Sequence, residues 1–211
     1  MTPKQLAFQT AVEGIIKKLS LRNMEGYFFE DSASCVKAIT DMMEDGSTIS
    51  WGGSESIKEC GLMEAVKSGS YQLIDRFSAK TPEEGRELFA KTVLSDYYLM
   101  SSNAITYDGK LINIDGNGNR VAALIYGPDQ VIVIAGMNKV VSTTEDAIRR
   151  VHNIASPPNC IRLQKQTPCA ATGMCAQCLG DDCICSQTVI TRRSGTIGRI
   201  KVLLVAQELG Y

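Results

Sequence analysis

Five of the eight cysteines in this 211-residue chain fall between Thr167 and Cys185, in the run Thr-Pro-Cys-Ala-Ala-Thr-Gly-Met-Cys-Ala-Gln-Cys-Leu-Gly-Asp-Asp-Cys-Ile-Cys. Cys169, Cys175, Cys178 and Cys185 are spaced so that four thiolates can converge on one inorganic centre, because a Cys-x-x-Cys turn brings two sulfurs to the same point. Cys183 is an extra thiol inside the last gap, and Cys160 precedes the group as a spare. An iron–sulfur cluster, a zinc ion and disulfides compete for this loop. Structural zinc is expected to show two Cys-x-x-Cys or Cys/His pairs a hairpin apart, and only one Cys-x-x-Cys is present. Disulfides need an oxidising compartment, whereas Met-Thr-Pro-Lys-Gln-Leu-Ala-Phe-Gln at the N-terminus lacks the apolar core of a signal peptide. A 4Fe-4S cluster is the leading expectation and zinc the alternative. Under either, four crowded thiolates repel one another without the ion, so the loop should lose its order.

A second set of chemistry-bearing residues lies in three polar loops. Trp51-Gly52-Gly53-Ser54-Glu55-Ser56 joins a predicted strand to a predicted helix, a place where free backbone amides hold anions. Asn103-Ala-Ile-Thr106 and Asp115-Gly116-Asn117-Gly118-Asn119-Arg120 add amide side chains, a carboxylate and a guanidinium, and Gly136-Met-Asn138-Lys139 adds an ammonium. In parallel α/β sheets ligands bind beyond the carboxyl ends of the strands. Gly52, Gly53, Ser54, Asn103, Gly116, Asn117, Gly118, Asn119, Arg120, Asn138 and Lys139 are therefore the predicted contacts for a small anionic or phosphorylated ligand. Asp-Gly-Asn-Gly-Asn is equally what tight turns require, and that reading stays open beside the ligand reading.

Asp115 is the candidate acid or base, since a carboxylate beside glycine in such a loop can approach a ligand. Glu55 is assigned to the charge preference of a helix's first turn. His152, the single histidine, is expected to cap a helix C-terminus, which leaves no Ser-His-Asp relay to build. Cys35 and Cys60 fall in helical segments as buried thiols, and Met42, Met43 and Trp51 read as core. Arg192-Arg193 suits an acidic partner or plain solvation.

These loops require a scaffold, and the periodicity supplies one. Helices are predicted over 3–19 on Leu6, Val12, Ile15, Ile16 and Leu19, from Ser32 or Ser34 through Met43, from Ser54 to Val66, from the Thr81-Pro82-Glu83-Glu84 capping box to Leu94, and from Thr143 to His152. Ser156-Pro157-Pro158 is expected to stop the last of these. Strands are predicted at 26–29, 47–50, 71–74, 97–102, 130–135 and 199–205, with 103–120 read as a polar segment. Alternating strands and helices imply an α/β fold with an open, largely parallel sheet covered on both faces. Residues 1–211 read as one domain, with 157–195 a cysteine-rich loop inside it and 196–211 a closing strand.

Charge is balanced, 22 basic against 23 acidic residues, so no broad field draws the chain to nucleic acid or an anionic membrane. The longest apolar runs, 131–135 and 202–206, are strand-sized, so no membrane span is expected and the cytoplasm is the expected location. The partners implied are a small anionic ligand and a redox protein; a homo-oligomer is compatible with the sequence.

Taken together, the loops and the tail resemble the lactate-utilisation (LUD) domain family. The matching stretches are Trp51-Gly-Gly-Ser54, Leu73-Ile-Asp-Arg76, Asn103-Ala-Ile-Thr106, Asp108-Gly109, Asn113-Ile-Asp-Gly-Asn-Gly-Asn-Arg-Val-Ala-Ala123, Asn138-Lys139, Thr167-Pro-Cys169 and Thr172-Gly173. The resemblance implies a fold similar to the NagB/RpiA/CoA-transferase class and to formyltetrahydrofolate cyclo-ligase. It also implies a link to L-lactate oxidation, in which some members work with iron–sulfur subunits. The chain's own cysteine tail looks like a stand-alone branch of that family. No Gly-x-Gly-x-x-Gly follows the first strand, so a nicotinamide or flavin fingerprint is missing.

Overall fold

The computed structural model describes residues 1–211. Helix α1 (Pro3–Ser20) begins at a capping box in which Thr2 accepts from the Gln5 amide and the Gln5 side chain returns to Thr2 N. Its inward face is Phe8, Val12, Ile15 and Leu19, with Phe8 in place of the predicted Leu6, which is exposed. Strand β1 (Glu25–Phe29) leads to α2 (Ser32–Met42), which is capped by Asp31 rather than by a serine. Strand β2 (Thr48–Trp51) runs into α3 (Glu55–Glu59) and α4 (Leu62–Ser68). The single helix expected there is cut at Gly61, whose φ of 81° favours glycine. Strand β3 (Gln72–Ile74), a 3-10 turn at Arg76–Ser78, α5 (Pro82–Val93) and β4 (Tyr97–Met100) follow.

The polar segment 103–120 is not irregular. It holds β5 (Ala104–Thr106), β6 (Leu111–Asp115) and the start of α6 (Asn119–Ile125), and the apolar run after Arg120 is that helix. Next come β7 (Gln130–Gly136), β8 (Val140–Val141) and α7 (Thr144–Arg150). Pro157 and Pro158 do not stop the chain's helical path, contrary to expectation. A π-helical turn over Val151–Ala155 leads directly into α8 (Ser156–Arg162), whose first turn, the part of a helix where proline is tolerated, holds both prolines. Helix α9 (Pro168–Thr172) opens the cysteine loop, β9 (Gln187–Thr191) closes it, and β10 (Ile200–Val205) follows.

Six strands form a parallel sheet in the order β1-β10-β7-β4-β2-β3, and a second sheet runs β8-β5-β6-β9 with antiparallel pairs on both sides of β6. The fold is α/β with a mostly parallel sheet and helices on both faces, as expected. Within the 196–211 segment, β10 lies between β1 and β7.

Alternation along the central strands builds the core. Val131, Val133 and Ala135 of β7 with Val202 and Leu204 of β10 pack on the α1 and α6 side, beside Ile15, Leu19 and Leu124. Ile132, Ile134, Leu203 and Val205 face the other way, onto Ile39, Ile57, Leu62 and Val66 of α2, α3 and α4. Both faces are covered, which is why these strands read as unbroken apolar runs. Cys35, Cys60, Met43 and Trp51 are buried in this second layer. No helix is long and apolar enough to cross a membrane.

Candidate functional site: a strand-end cation cluster beside a thiol loop

All six strands of the main sheet are parallel, so the turns that follow them gather along one edge. Those turns carry Gly52, Gly53 and Ser54 after β2, Arg76 after β3, Ser101 and Asn103 after β4, Asn138 and Lys139 after β7, and Gln207–Tyr211 after β10.

Lys139 sits at the centre and is 5% exposed. Its ammonium donates to Ser56 Oγ at 2.8 Å and to Ser101 Oγ at 3.1 Å. Burial, with Arg150 and Arg120 adding repulsion and Glu59 partly offsetting it, pushes its pKa down from 10.5 to about 7. Arg150, reaching in from α7, donates from Nε to Asn138 O and from Nη1 to Asn103 O, both at 2.8 Å, and has only these carbonyls as acceptors. Burial lowers its pKa as well.

Arg120 is engaged within the fold. Its guanidinium donates to the Ser101 and Ile114 carbonyls, to the side chains of Asn113 and Asn103, and to the Asp115 carboxylate. Asp115 is 8% exposed and also accepts from Val121 N at 3.1 Å, so its oxygens hold Arg120 and the first turn of α6. These contacts give it a positioning role, one oxygen on Arg120 and the other on Val121 N. Asn103 and Asn138 are likewise occupied. Asn103 Oδ1 accepts from Ile114 N, and Asn138 binds the C-terminal segment through Leu209 N and Gly210 O.

That segment lies across the site. Ser56 donates to Leu209 O at 3.1 Å, Gly210 N donates to Glu59, and Gln207 O accepts from Met137 N. Gly52 and Gly53 lie nearer the β3 side, where a Cβ on Gly52 would stand 3.0 Å from the Tyr98 hydroxyl and 3.1 Å from the Arg120 side chain. Ser54 caps α3, and Glu55 pairs with Lys58 and Arg162. A groove of about 390 Å³ reaches the site from the side at Asn138 and Arg150. Another, of about 720 Å³, runs between α5 and α6 and touches the predicted contacts only at Asn119. The charge lies with the first.

The thiols are gathered but not closed on one centre. No three cysteine, histidine or carboxylate side chains converge at ligand distance, so the predicted quartet of Cys169, Cys175, Cys178 and Cys185 is not assembled as a metal site. The sulfurs instead make separate contacts. Cys169 Sγ lies 3.6 Å from Cys160 Sγ, Cys175 Sγ 3.6 Å from His152 Nδ1, and Cys185 Sγ 3.3 Å from Ser156 Oγ. All eight cysteines are free thiols. Burial first, then neighbouring thiols, raises Cys185, and burial raises Cys160 to about 11. His152 is therefore no dipole cap; it lies in the π-helical turn against Cys175. The donor set is soft, six thiols and one imidazole without a carboxylate in contact, and this chemistry fits an iron–sulfur cluster or zinc.

The two regions touch. A Cβ on Gly116 would stand 3.5 Å from Ile184 Cα, Ser186 N donates to Asp115 O at 2.9 Å, and Cys185 packs with Ile114, Val151, Ala155 and Tyr211. Gly116 and Gly118 thus face the end of the cysteine loop, at Ile184 and Gln187. Sequence reasoning did not single out Tyr98, Ser101 or Arg150, and it named Ser56 and Arg76 only as parts of the Trp51–Ser56 loop and the Leu73–Arg76 stretch, not as contacts. The strand-end rule alone would have flagged Arg76 and Ser101, whereas Arg150 enters from a helix and leaves no such signal.

The family model described as LUD domain matches residues 12–205. No curated protein matches the chain. Among solved structures, a DUF162 family protein from Deinococcus radiodurans is similar at a TM-score of 0.51 and 12% identity, with 95% of this chain and 98% of that one covered. That likeness shows the fold. eIF2B delta from Chaetomium thermophilum aligns at a TM-score of 0.34 and 14% identity, over 66% of this chain and 54% of that one.

Proposed function

The chain belongs to the LUD-domain family, and on that premise we propose that it serves lactate or small-carboxylate utilisation, binding a small anion at the strand-end cluster and an iron–sulfur cluster through Cys169, Cys175, Cys178 and Cys185. Family membership itself suggests only a function related to lactate utilisation.

One observation carries the ligand reading. Lys139, Arg150 and Arg120 are brought together with Asp115 as the only carboxylate in direct contact with any of them. Buried charge without a counter-charge is unfavourable, so an anion entering here is stabilised by cations already in place. Asn103 and Asn138 keep those cations oriented, and Asp115 holds Arg120. Proton exchange at bound ligand falls to Lys139, whose pKa near 7 leaves both forms populated at neutral pH.

For the cluster, what supports the reading is a soft, carboxylate-poor donor set in which all the thiols are free. Such a cluster supplies one-electron transfer when bound. The loop lies against the strand-end site through Gly116 and Ile184, so a redox partner docking at the loop would stand near the ligand. The contact between Cys175 and His152 favours a second reading, zinc in a mixed sulfur and nitrogen set that braces the loop. Anaerobic purification with iron, sulfide and zinc analysis decides between them. A brown protein with iron and sulfide supports the first; a colourless one with stoichiometric zinc replaces it with the second.

A further inference from the structure

The cations at the strand ends are not equivalent. Lys139 is held by two serines, Arg150 by two carbonyls and Arg120 by five acceptors. Arg76 differs from all three. It makes no ion pair, its Nε is buried with no acceptor, and its guanidinium lies over the Phe77 ring at 4.7 Å from the centroid. An unsatisfied buried donor is unfavourable, and an incoming acceptor relieves it. The aromatic contact holds the plane of the fork without using any of its N–H groups.

The neighbourhood leaves room for that acceptor. Arg76 follows β3, whose register with β2 pairs Ile74 with Ser50 and so sets Arg76 beside Gly52 and Gly53. A Cβ on Gly53 would lie 3.8 Å from Arg76 Nη2 and 3.7 Å from Phe77, in the space a ligand oxygen needs. The Tyr98 hydroxyl, beside Gly52, has no hydrogen-bond partner within the protein. Burial raises its pKa to about 12, against the opposing pull of Arg76 and Arg120, so it remains a donor at neutral pH.

We infer that Arg76, the Tyr98 hydroxyl and the open backbone at Gly53 form a subsite that grips the carboxylate of a small organic acid. A guanidinium fork presents two parallel N–H groups, which match the two coplanar oxygens of a carboxylate, and the phenol adds one donor. The same fork also meets two oxygens of a phosphate, which makes inorganic phosphate the competing probe. The subsite rests on the reading of the strand-end cluster as an anion site, and names its ligand class.

Titration calorimetry on the full chain, with L-lactate, pyruvate and inorganic phosphate as separate probes, tests this. Wild type should bind at least one carboxylate. Arg76→Ala should weaken that binding about tenfold or more, and Arg76→Lys should restore only part of it, since an ammonium lacks the fork. Gly53→Val, which fills the space beside Nη2, should weaken binding with Arg76 intact. Unchanged thermal midpoints establish that each variant is folded. Carboxylate binding that survives Arg76→Ala overturns the subsite and leaves the anion reading standing. Phosphate bound in an Arg76-dependent way, with carboxylates ignored, overturns the ligand class. Wild type that binds none of the three removes the anion reading, and the subsite falls with it.

Discussion

Lys139 shows what a single buried cation does to the pH response of the fold. Its pKa falls from 10.5 in the unfolded reference to about 7 in the folded chain, chiefly through burial and then through Arg150 and Arg120. The unfolded state binds the proton more tightly, so for this group stability rises with pH across the window from about 7 to 10.5. Below that window the penalty is present in full; above it the amine is neutral in both states and the penalty is gone. A difference of 10.5 to about 7 corresponds to something on the order of 5 kcal/mol at most. Lys139→Met keeps the stem and removes the charge, and both serines retain carbonyl acceptors, at Leu209 and Ser102. The variant should be more stable than wild type by a few kcal/mol at pH 6, with the gain fading toward pH 10. Urea unfolding at several pH values measures it. A gain that does not change with pH would mean that packing, not charge, sets the penalty.

At the scale of elements, the strand-end site is assembled by the segment after β10 as much as by the loops before it. Gly136, the last residue of β7, has the Gln207 carbonyl and the Leu209 amide each 2.5 Å from where its Cβ would be. Both are backbone atoms and cannot rotate away. Gly136→Ala should therefore push Gln207–Leu209 off, break the Asn138 contacts to Leu209 and Gly210, and uncover Ser56. A stability loss of about 1–3 kcal/mol is expected, with faster amide exchange confined to 207–211. Exchange that stays slow there would show that the segment is held by other contacts. This packing was invisible in the sequence, where Gly136 reads as the start of a polar loop and nothing marks the C-terminal segment that passes it. The second sheet was hidden for a related reason. Asn113 Oδ1 and the Asp115 carboxylate stand in a fully buried strand paired with Arg120, and polar residues partnered from elsewhere break the alternation by which strands are recognised. The capped starts of α1 and α5 were legible, because a cap is satisfied within a few residues.

Over the whole molecule, the apolar runs at 130–135 and 199–205 identified two strands correctly, and the sequence could not say that they are neighbours. Strand β10 enters last in chain order and lies between β1 and β7, so the sheet is continuous only when residues nearly the full chain apart have met. Leu203 stands at that junction, paired in register with Tyr27 on one side and Ile134 on the other, and fully buried. Leu203→Ala removes packing from both neighbours at once and should destabilise by about 2–5 kcal/mol. Ile190 on β9, an outer strand of the second sheet, is 43% exposed, and Ile190→Ala should change stability by only about 0.5 kcal/mol. The urea midpoint should fall for the first variant with its slope unchanged, because both sheets still unfold together. A reduced slope would mean instead that β1 with α1 separates from the rest as a unit. Equal midpoints for the two variants would contradict a central β10, and with it the single edge on which Arg76, Lys139 and the C-terminal segment meet.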